Sequence, residues 1–242
     1  MSEPVSFRDR PLSFVRRSGR MTDGQERAWA DLAPRYVLEA PRDEAATSVR
    51  PGAVISPRDV WGRDAALIVE VGSGQGHAII HAASSRPEDD FLAVEVFTAG
   101  LARTMLNAEQ AGIENLRLVE ANAPEVLAHL LPAASVTELW VFFPDPWHKN
   151  KHNKRRLVTA EFASVAAATA LRDGGVLRLA TDWEQYARQM RDVLDAAPEF
   201  TRGFEGGWAD RFDGRILTAF ERKGARAGRE IRDLVYVRRP RT

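Results

Sequence analysis

The 242-residue chain contains no cysteine. Disulfide bonds, cysteine-ligated zinc and thiol nucleophiles are therefore excluded, and the absence suits a reducing cytoplasm, where we expect the protein to act. No apolar run approaches the roughly 20 residues that a membrane-spanning helix needs. The charged residues near the N-terminus lack the apolar core of a signal peptide. We therefore expect neither a membrane anchor nor a secretory leader.

The chain also lacks a net charge, because 34 lysines and arginines balance 34 aspartates and glutamates. A positive surplus is typical of proteins that bind nucleic acids, so its absence argues weakly against that class. The basic residues are nevertheless concentrated, most densely at 149–156. Such a run is often only a solvated face, but a focused basic patch can attract a polyanion even when the total charge cancels.

The pattern of apolar residues divides the chain in two. Residues 1–60 are rich in proline and arginine, and we interpret them as a partly flexible N-terminal extension with one short helix near 25–32. From residue 61 to 242, apolar runs alternate with helical segments, which predicts a parallel sheet covered on both faces. The predicted parallel strands are residues 67–71, 91–96, 116–120, 138–143 and 176–180.

The C-terminal segment departs from this alternation. Residues 215–222 and 231–238 have the pattern of two strands joined by a glycine-bearing loop, and no helix separates them. Such neighbours are expected to pair as an antiparallel hairpin. The predicted fold class is therefore α/β, with a Rossmann-like, doubly wound, mostly parallel sheet that ends in an antiparallel hairpin, as in class I methyltransferases.

A glycine turn follows the first predicted strand, with Gly72, Gly74 and Gly76 in a G-x-G-x-G spacing. Glu70 precedes it, and a carboxylate there would repel the pyrophosphate of a dinucleotide. S-adenosylmethionine instead carries an ammonium and a sulfonium, so the pair of features favours this cofactor. Glu95, at the end of the second strand, can accept hydrogen bonds from both ribose hydroxyls. A tight turn without a ligand is the alternative.

Two further strand ends complete the expected cofactor site. Asn122 follows the third strand and can accept a hydrogen bond from the adenine amine, although asparagine is also a common turn residue. Asp145 follows the fourth strand between Pro144 and Pro146, which restrict the backbone and hold the carboxylate on a stiff turn. Trp147 then offers a flat face for stacking on a base, or packs as an aromatic that caps the sheet.

A resemblance to a known family appears in the same region. The chain reads FFPDPWHK at 142–149 and HNKRR at 152–156, which resembles the bacterial tRNA (guanine-N7-)-methyltransferases. Supporting stretches are RRSGRMT at 16–22, ATDWE at 180–184 and TAFE at 218–221. The similarity extends from about residue 13 to about 238, and the segment after the fourth strand is its most specific part.

The resemblance implies methyl transfer from S-adenosylmethionine to N7 of a guanine in tRNA, at position 46 of the variable loop. It implies Asp145 as the catalytic residue, and cofactor contacts at Glu70, Glu95, Asn122 and Asp145. The implied substrate contacts are Lys149, Asp182, Thr218 and Glu221, and the implied RNA-contacting residues are Lys151, His152, Asn153, Lys154, Arg155 and Arg156. The family usually has aspartate at the position of Asn122, and an asparagine there can still reach the adenine. Asp182 is alternatively the N-cap of the following helix.

The chemistry needs no proton-abstracting base, because guanine N7 has an available lone pair. Asp145 is expected to position the base and to stabilise the positive charge that develops on it. His148 and His152 lack the carboxylates of a catalytic zinc site, so no metal is expected. The alternatives are a class I methyltransferase that acts on an amine of a protein or small molecule, and a non-catalytic nucleotide- or RNA-binding module. A monomer and a homodimer both fit the sequence.

Overall fold

The structure, a computed structural model, describes residues 13–14, 21–217, 221, 224, 226 and 228–241. Within these residues, one sheet contains seven strands. They are β1 (Leu67–Val71), β2 (Asp90–Glu95), β3 (Leu116–Glu120), β4 (Val136–Phe142), β5 (Leu171–Thr181), β6 (Phe200–Arg202) and β7 (Arg232–Arg238).

The order of the strands across the sheet is β3-β2-β1-β4-β5-β7-β6. Neighbours among β1 to β5 are parallel, whereas β7 is antiparallel to both β5 and β6. The chain reverses its direction across the sheet between β1 and β4, so their carboxyl ends flank the crevice where ligands bind in folds of this kind. The predicted fold class is confirmed.

The prediction of a strand at 215–222 was wrong. In the described part of that segment, residues 215–217 lie outside any strand and residues 221, 224 and 226 are helical. The strand that pairs with β7 at the sheet edge is β6. Arg215 and Glu221 are both buried, and they form an ion pair with each other, while Arg215 also pairs with Asp233 of β7.

Helix α1 (Asp23–Tyr36) is longer than the helix predicted in the N-terminal extension. Thr22 and Gln25 form a capping box at its start, in which each side chain bonds the other's backbone N–H. At its end Tyr36 is fully buried and its hydroxyl donates to the carbonyl of Ile113. The extension is thereby attached to the sheet domain, and Val37 forms a bridge to β3.

Helices cover both faces of the sheet. They are α2 (Pro57–Trp61), α3 (His77–Ser85), α4 (Thr98–Gln110), α5 (Ala123–Glu125) with the π-helical turn Val126–Leu130, the π-helical turn Phe162–Ala167 with α6 (Ala168–Ala170), and α7 (Glu184–Ala196). Buried apolar side chains form one cluster on each face, and Trp140 of β4 is the largest fully buried side chain. No helix in the described ranges combines the length and apolar character required to cross a membrane.

Candidate functional site

The carboxyl ends of β1 to β4 surround a cavity of about 210 Å³. Each strand contributes the residues that immediately follow it, so the site is assembled from four loops that are far apart in sequence. The polar or conformationally special residues that line it are Gly72, Gly74, Glu95, Asn122, Pro144 and Asp145, together with Ser13 and Phe14 from the N-terminal segment. The structure therefore brings together most of the predicted cofactor contacts.

The glycine turn depends on glycine at its own positions and at one position of the helix that packs against it. Gly72, Gly74 and Gly76 all have positive φ, at 72°, 58° and 74°, a region that side chains disfavour. Gly100 of α4 has an ordinary φ, but a Cβ there would lie 2.5 Å from the carbonyl oxygen of Gly74. Sequence reasoning did not identify Gly100, because its requirement comes from a helix that packs against the turn.

We expect Gly100→Ala to weaken binding of S-adenosylhomocysteine at least tenfold. The new methyl group must displace the Gly74 backbone, and overpacking of this kind costs about 1–3 kcal/mol. Isothermal titration calorimetry measures the affinity. Gly24→Ala is the matched control, because a Cβ at Gly24 has its nearest neighbour at 4.0 Å. Equal affinities for the two variants would contradict a role of Gly100 in shaping the site.

Glu95 connects the end of β2 to the glycine turn. Its carboxylate accepts hydrogen bonds from the backbone N–H groups of Gly74 at 2.8 Å, Val96 at 2.7 Å and Phe97 at 3.1 Å. A carboxylate has about four acceptor positions, so these amides hold the side chain firmly and leave limited capacity for a ligand hydroxyl. Glu95 thus both orders the turn and faces the cavity.

Glu70 lies beneath the turn and does not line the cavity. The pKa of its carboxyl is raised to about 8, mainly because burial disfavours the charged form; the N–H of Ile79 opposes this rise and the nearby Glu95 adds to it. Glu70 Oε2 and Ser73 Oγ are buried without a hydrogen-bond partner among the described residues. Buried polar atoms are normally paired. A ligand ammonium at the turn would satisfy the carboxyl and offset its burial, which fits the amino-acid end of S-adenosylmethionine.

The backbone after β4 is strained around Asp145. Phe143 and Trp147 have φ of 52° and 47°, and neither is glycine. Such conformations cost of the order of 1–3 kcal/mol each and concentrate at functional sites. Asp145 also borders a second depression of about 350 Å³, which we call the outer groove and which is lined by Asp145, Pro146, Trp147, His148, Lys149 and His152. Asp145 therefore lies where the cavity and the outer groove meet.

Trp147 contacts a backbone carbonyl and two side chains of the protein itself. Its indole N–H donates to the carbonyl of Ser13 at 3.1 Å, the guanidinium of Arg155 lies 3.9 Å from its ring, and the ring of His152 stacks on it at 6.0 Å. Partial burial lowers the pKa of His152, and the surrounding cations lower it further. A base that stacks on Trp147 would have to displace one of these partners.

The basic segment divides into an exposed and a buried part. Lys149, Lys151 and Lys154 are exposed on or beside the 3₁₀ helix Asn150–Arg155. Arg156 was grouped with them by the sequence, but it is only 3% exposed. Its guanidinium donates to the carbonyl of Pro146 and to the side chains of Gln185 and Gln189 on α7. Arg156 thus holds the strained turn from inside the protein.

Two of the implied substrate contacts, Asp182 and Glu221, form ion pairs within the protein and lie away from the cavity. Asp182 pairs with Arg229 at 3.0 Å, and the helix N-cap is Trp183, so the alternative interpretation of Asp182 as N-cap is wrong. Glu221 is buried and its Oε1 lies 3.3 Å from Nε of Arg215. Neither lines the cavity, and Thr218 lies outside the described residues.

Arg215 is a buried residue that sequence reasoning missed. It forms a bidentate hydrogen bond to Asp233 of β7, and its guanidinium lies over the rings of Phe142 and Phe143 at the end of β4. Because Arg215 lies in a segment with a strand-like pattern, nothing in the sequence indicated that it would be buried against Asp233 and the end of β4. Across the part of the chain that the structure describes, no group of three or more His, Asp or Glu side chains could hold a metal ion.

Comparison with known sequences identifies related proteins over nearly the whole chain. A family profile described as "Putative methyltransferase" matches residues 64–234. The tRNA (guanine-N(7)-)-methyltransferase of Paenarthrobacter aurescens strain TC1 is 45% identical over 97% of this chain and 93% of its own length. The protein of the same name from Marinobacter nauticus is 40% identical over 98% of this chain and 95% of its own length.

Comparison with solved structures supports the fold. The 16S rRNA methyltransferase KamB has a TM-score of 0.57 and 16% identity, over 76% of this chain and 92% of that chain. A 16S rRNA (adenine(1408)-N(1))-methyltransferase from Catenulisporales acidiphilia, solved with S-adenosylmethionine, has a TM-score of 0.54 and 19% identity, over 77% of this chain and 92% of that chain. At these identities the likeness concerns the fold alone.

Proposed function

This chain belongs to the tRNA (guanine-N(7)-)-methyltransferase family, and on that premise we propose how its residues transfer a methyl group from S-adenosylmethionine to N7 of a guanine in tRNA. The observation that carries the proposal is the position of Asp145 between the cofactor cavity and the outer groove. A carboxylate at that junction contacts a guanine that enters from the groove and remains next to the cofactor.

The cofactor supplies an electrophilic methyl group. The chain holds it with the residues of the cavity: Gly72 and Gly74 allow close approach to the backbone, Glu95 accepts from the ribose, and Asn122 accepts from the adenine amine. The carboxyl of Glu70 complements the ammonium, whose positive charge lowers the raised pKa of Glu70 and favours the carboxylate form. The unpaired Oε2 of Glu70 is the structural feature that supports this arrangement.

Asp145 acts on the guanine by position and by charge. Guanine N7 attacks through its own lone pair, so no residue has to remove a proton first. The carboxylate accepts hydrogen bonds from the N1–H and the N2 amine, which orients the base for in-line attack. Methylation leaves positive charge on the purine, and a fixed carboxylate in a site shielded from water stabilises that charge as it develops.

The outer groove and the lysines beside it form the proposed RNA surface. Lys149, Lys151 and Lys154 neutralise phosphates, and His152, Asn153 and Arg155 border the same surface. Arg156 supports it from within. We retain Asp182, Thr218 and Glu221 as proposed substrate contacts. Asp182 and Glu221 must then exchange their present partners, Arg229 and Arg215, for the substrate.

The proposed substrate nucleotide is guanine 46 in the variable loop, and the proposed location is the cytoplasm, where tRNA and reduced thiols are found. Incubation with labelled S-adenosylmethionine and bulk unmodified tRNA, followed by borohydride and aniline cleavage, tests the reaction and its position together. Label in tRNA with cleavage at that guanine supports the proposal. Label in protein would support an amine methyltransferase, and no label would support a binding module.

We expect Lys151→Ala/Lys154→Ala to weaken tRNA binding and to reduce its dependence on salt. Each phosphate contact contributes about 0.7–0.9 to the slope of log K against log salt, so losing two contacts lowers the slope by about 1.5. Filter binding between 50 and 300 mM salt measures it. Arg58→Ala is the control, because Arg58 is exposed on α2, which packs near the opposite ends of the strands. A salt slope that stays the same in the double variant would contradict the assignment.

A further inference from the structure

Asn122 occupies the N-cap position of a helix, but its side chain does not cap the helix and instead donates a hydrogen bond to Glu125. It is the N-cap residue of α5, and no hydrogen bond joins its side chain to the helix amides. Asparagine is among the best N-cap residues because its carbonyl oxygen accepts from those amides. Since Oδ1 is not used for capping and Asn122 lines the cavity, this oxygen remains for a ligand.

Glu125, three residues later, is bonded to the nitrogen of the Asn122 side-chain amide. Its Oε1 accepts from Nδ2 of Asn122 at 2.9 Å, and its Oε2 accepts from the backbone N–H of Val49 at 2.8 Å. Glu125 is only 9% exposed. The backbone N–H of Asn122 donates to the carbonyl of Thr47, which fixes the neighbouring chain as well.

We propose that Glu125 is a positioning residue that sets the polarity of the Asn122 amide, so that the site selects a cofactor whose purine carries a 6-amino group. The proposal rests on the proposed contact between Asn122 and adenine. A carboxylate has only acceptors, so each oxygen of Glu125 requires a donor. Val49 supplies a donor that cannot be inverted, and Asn122 must supply the other through its nitrogen. The carbonyl oxygen of Asn122 then faces the adenine amine.

The substitution Glu125→Gln is expected to reverse the orientation of the Asn122 side-chain amide. The single carbonyl oxygen of the glutamine accepts from the N–H of Val49, and its amide nitrogen turns towards Asn122. To avoid two opposed donors, the amide of Asn122 rotates by 180° and presents its nitrogen to the cavity. The site then offers a donor, which suits a 6-oxo purine better than a 6-amino purine.

The test compares S-adenosylhomocysteine with S-inosylhomocysteine, which carries an oxo group in place of the 6-amino group and therefore an N1–H in place of the N1 acceptor. Calorimetry with the full chain gives both dissociation constants. We expect the unaltered protein to prefer the adenosyl ligand about tenfold, which corresponds to one hydrogen bond of ordinary strength. Glu125→Gln is expected to abolish or invert the preference. Glu125→Ala, which lets the amide rotate freely, is expected to reduce it without inversion.

The double variant Asn122→Asp/Glu125→Gln separates polarity from general damage. An aspartate has no donor to turn inward, and the glutamine nitrogen can donate to it, so the adenosyl preference should return. Preserved preference in both Glu125→Gln and Glu125→Ala would overturn the proposal, as would an equal loss in the double variant. Asn122→Ala tests the underlying contact separately. If it leaves the preference unchanged, Asn122 does not read the adenine.

Discussion

Replacing Asp145 with alanine is expected to lower kcat for tRNA methylation by about 100-fold or more. Removing a single group that stabilises charge in a transition state typically costs two to three orders of magnitude. Asp145 is held between two prolines and flanked by Phe143 and Trp147 in strained conformations. The other carboxylate that lines the cavity, Glu95, is held at the end of β2 by three backbone N–H groups and does not border the outer groove. Methyl transfer is measured under single-turnover conditions with saturating S-adenosylmethionine and tRNA.

Saturation matters because Asp145 also lines the cofactor cavity, and its loss weakens cofactor binding to some degree. Asp145→Asn provides the matched control, since it keeps the shape and part of the hydrogen bonding but removes the charge. A value between those of the unaltered protein and the alanine variant would indicate that positioning and charge both contribute. Near-normal turnover of the alanine variant would end the proposed role of Asp145.

Arg156→Ala is expected to destabilise the fold by about 2–4 kcal/mol and to lower Tm by about 10 °C. The change removes the donor to the partly buried carbonyl of Pro146 and side chain of Gln189 and to the exposed Gln185, and unpaired buried polar groups cost about 1–3 kcal/mol each. It also removes the packing of a guanidinium that lies over the ring of Tyr186, in a residue only 3% exposed. At this chain length 1 kcal/mol shifts Tm by about 2–4 °C. Differential scanning calorimetry measures both quantities.

The control for Arg156 is its exposed neighbour in the same basic segment. Lys154→Ala should leave Tm within about 1 °C, because surface substitutions rarely exceed 0.5 kcal/mol, while lowering the salt dependence of tRNA binding. Arg156→Lys should recover part of the stability, since an ammonium can reach one of the acceptors but not all of them. If Arg156→Ala melts normally and instead flattens the salt dependence, the arginine contacts RNA as the sequence pattern implied.

Much of the fold follows from patterns that act over short stretches of chain. Apolar runs alternating with helical segments specify parallel strands with helices on both faces, and the glycine turn requires positive φ at Gly72, Gly74 and Gly76. The polar residues after β1 to β4 then meet at one edge, because parallel strands end on the same side of the sheet. Glu95, Asn122 and Asp145 were predictable for that reason.

The contacts between distant segments were not predictable in this way. The pattern at 215–222 resembles a strand, and only the burial of Arg215 against Asp233 shows that the segment packs differently. The requirement for Gly100 arises from the approach of α4 to Gly74, 26 residues away in sequence and invisible to any local spacing.

The sequence by itself therefore determined the α/β architecture, the family and the residues at the strand ends, because periodicity, backbone preference and short motifs are properties of the local chain. Only the tertiary structure decided which residues of the basic segment face solvent. Arg156 differs from Lys154 because α7 presents Gln185 and Gln189 to one and water to the other. It likewise brought Glu125 between Val49 and Asn122, where its carboxylate accepts from the backbone N–H of one and from the side-chain nitrogen of the other.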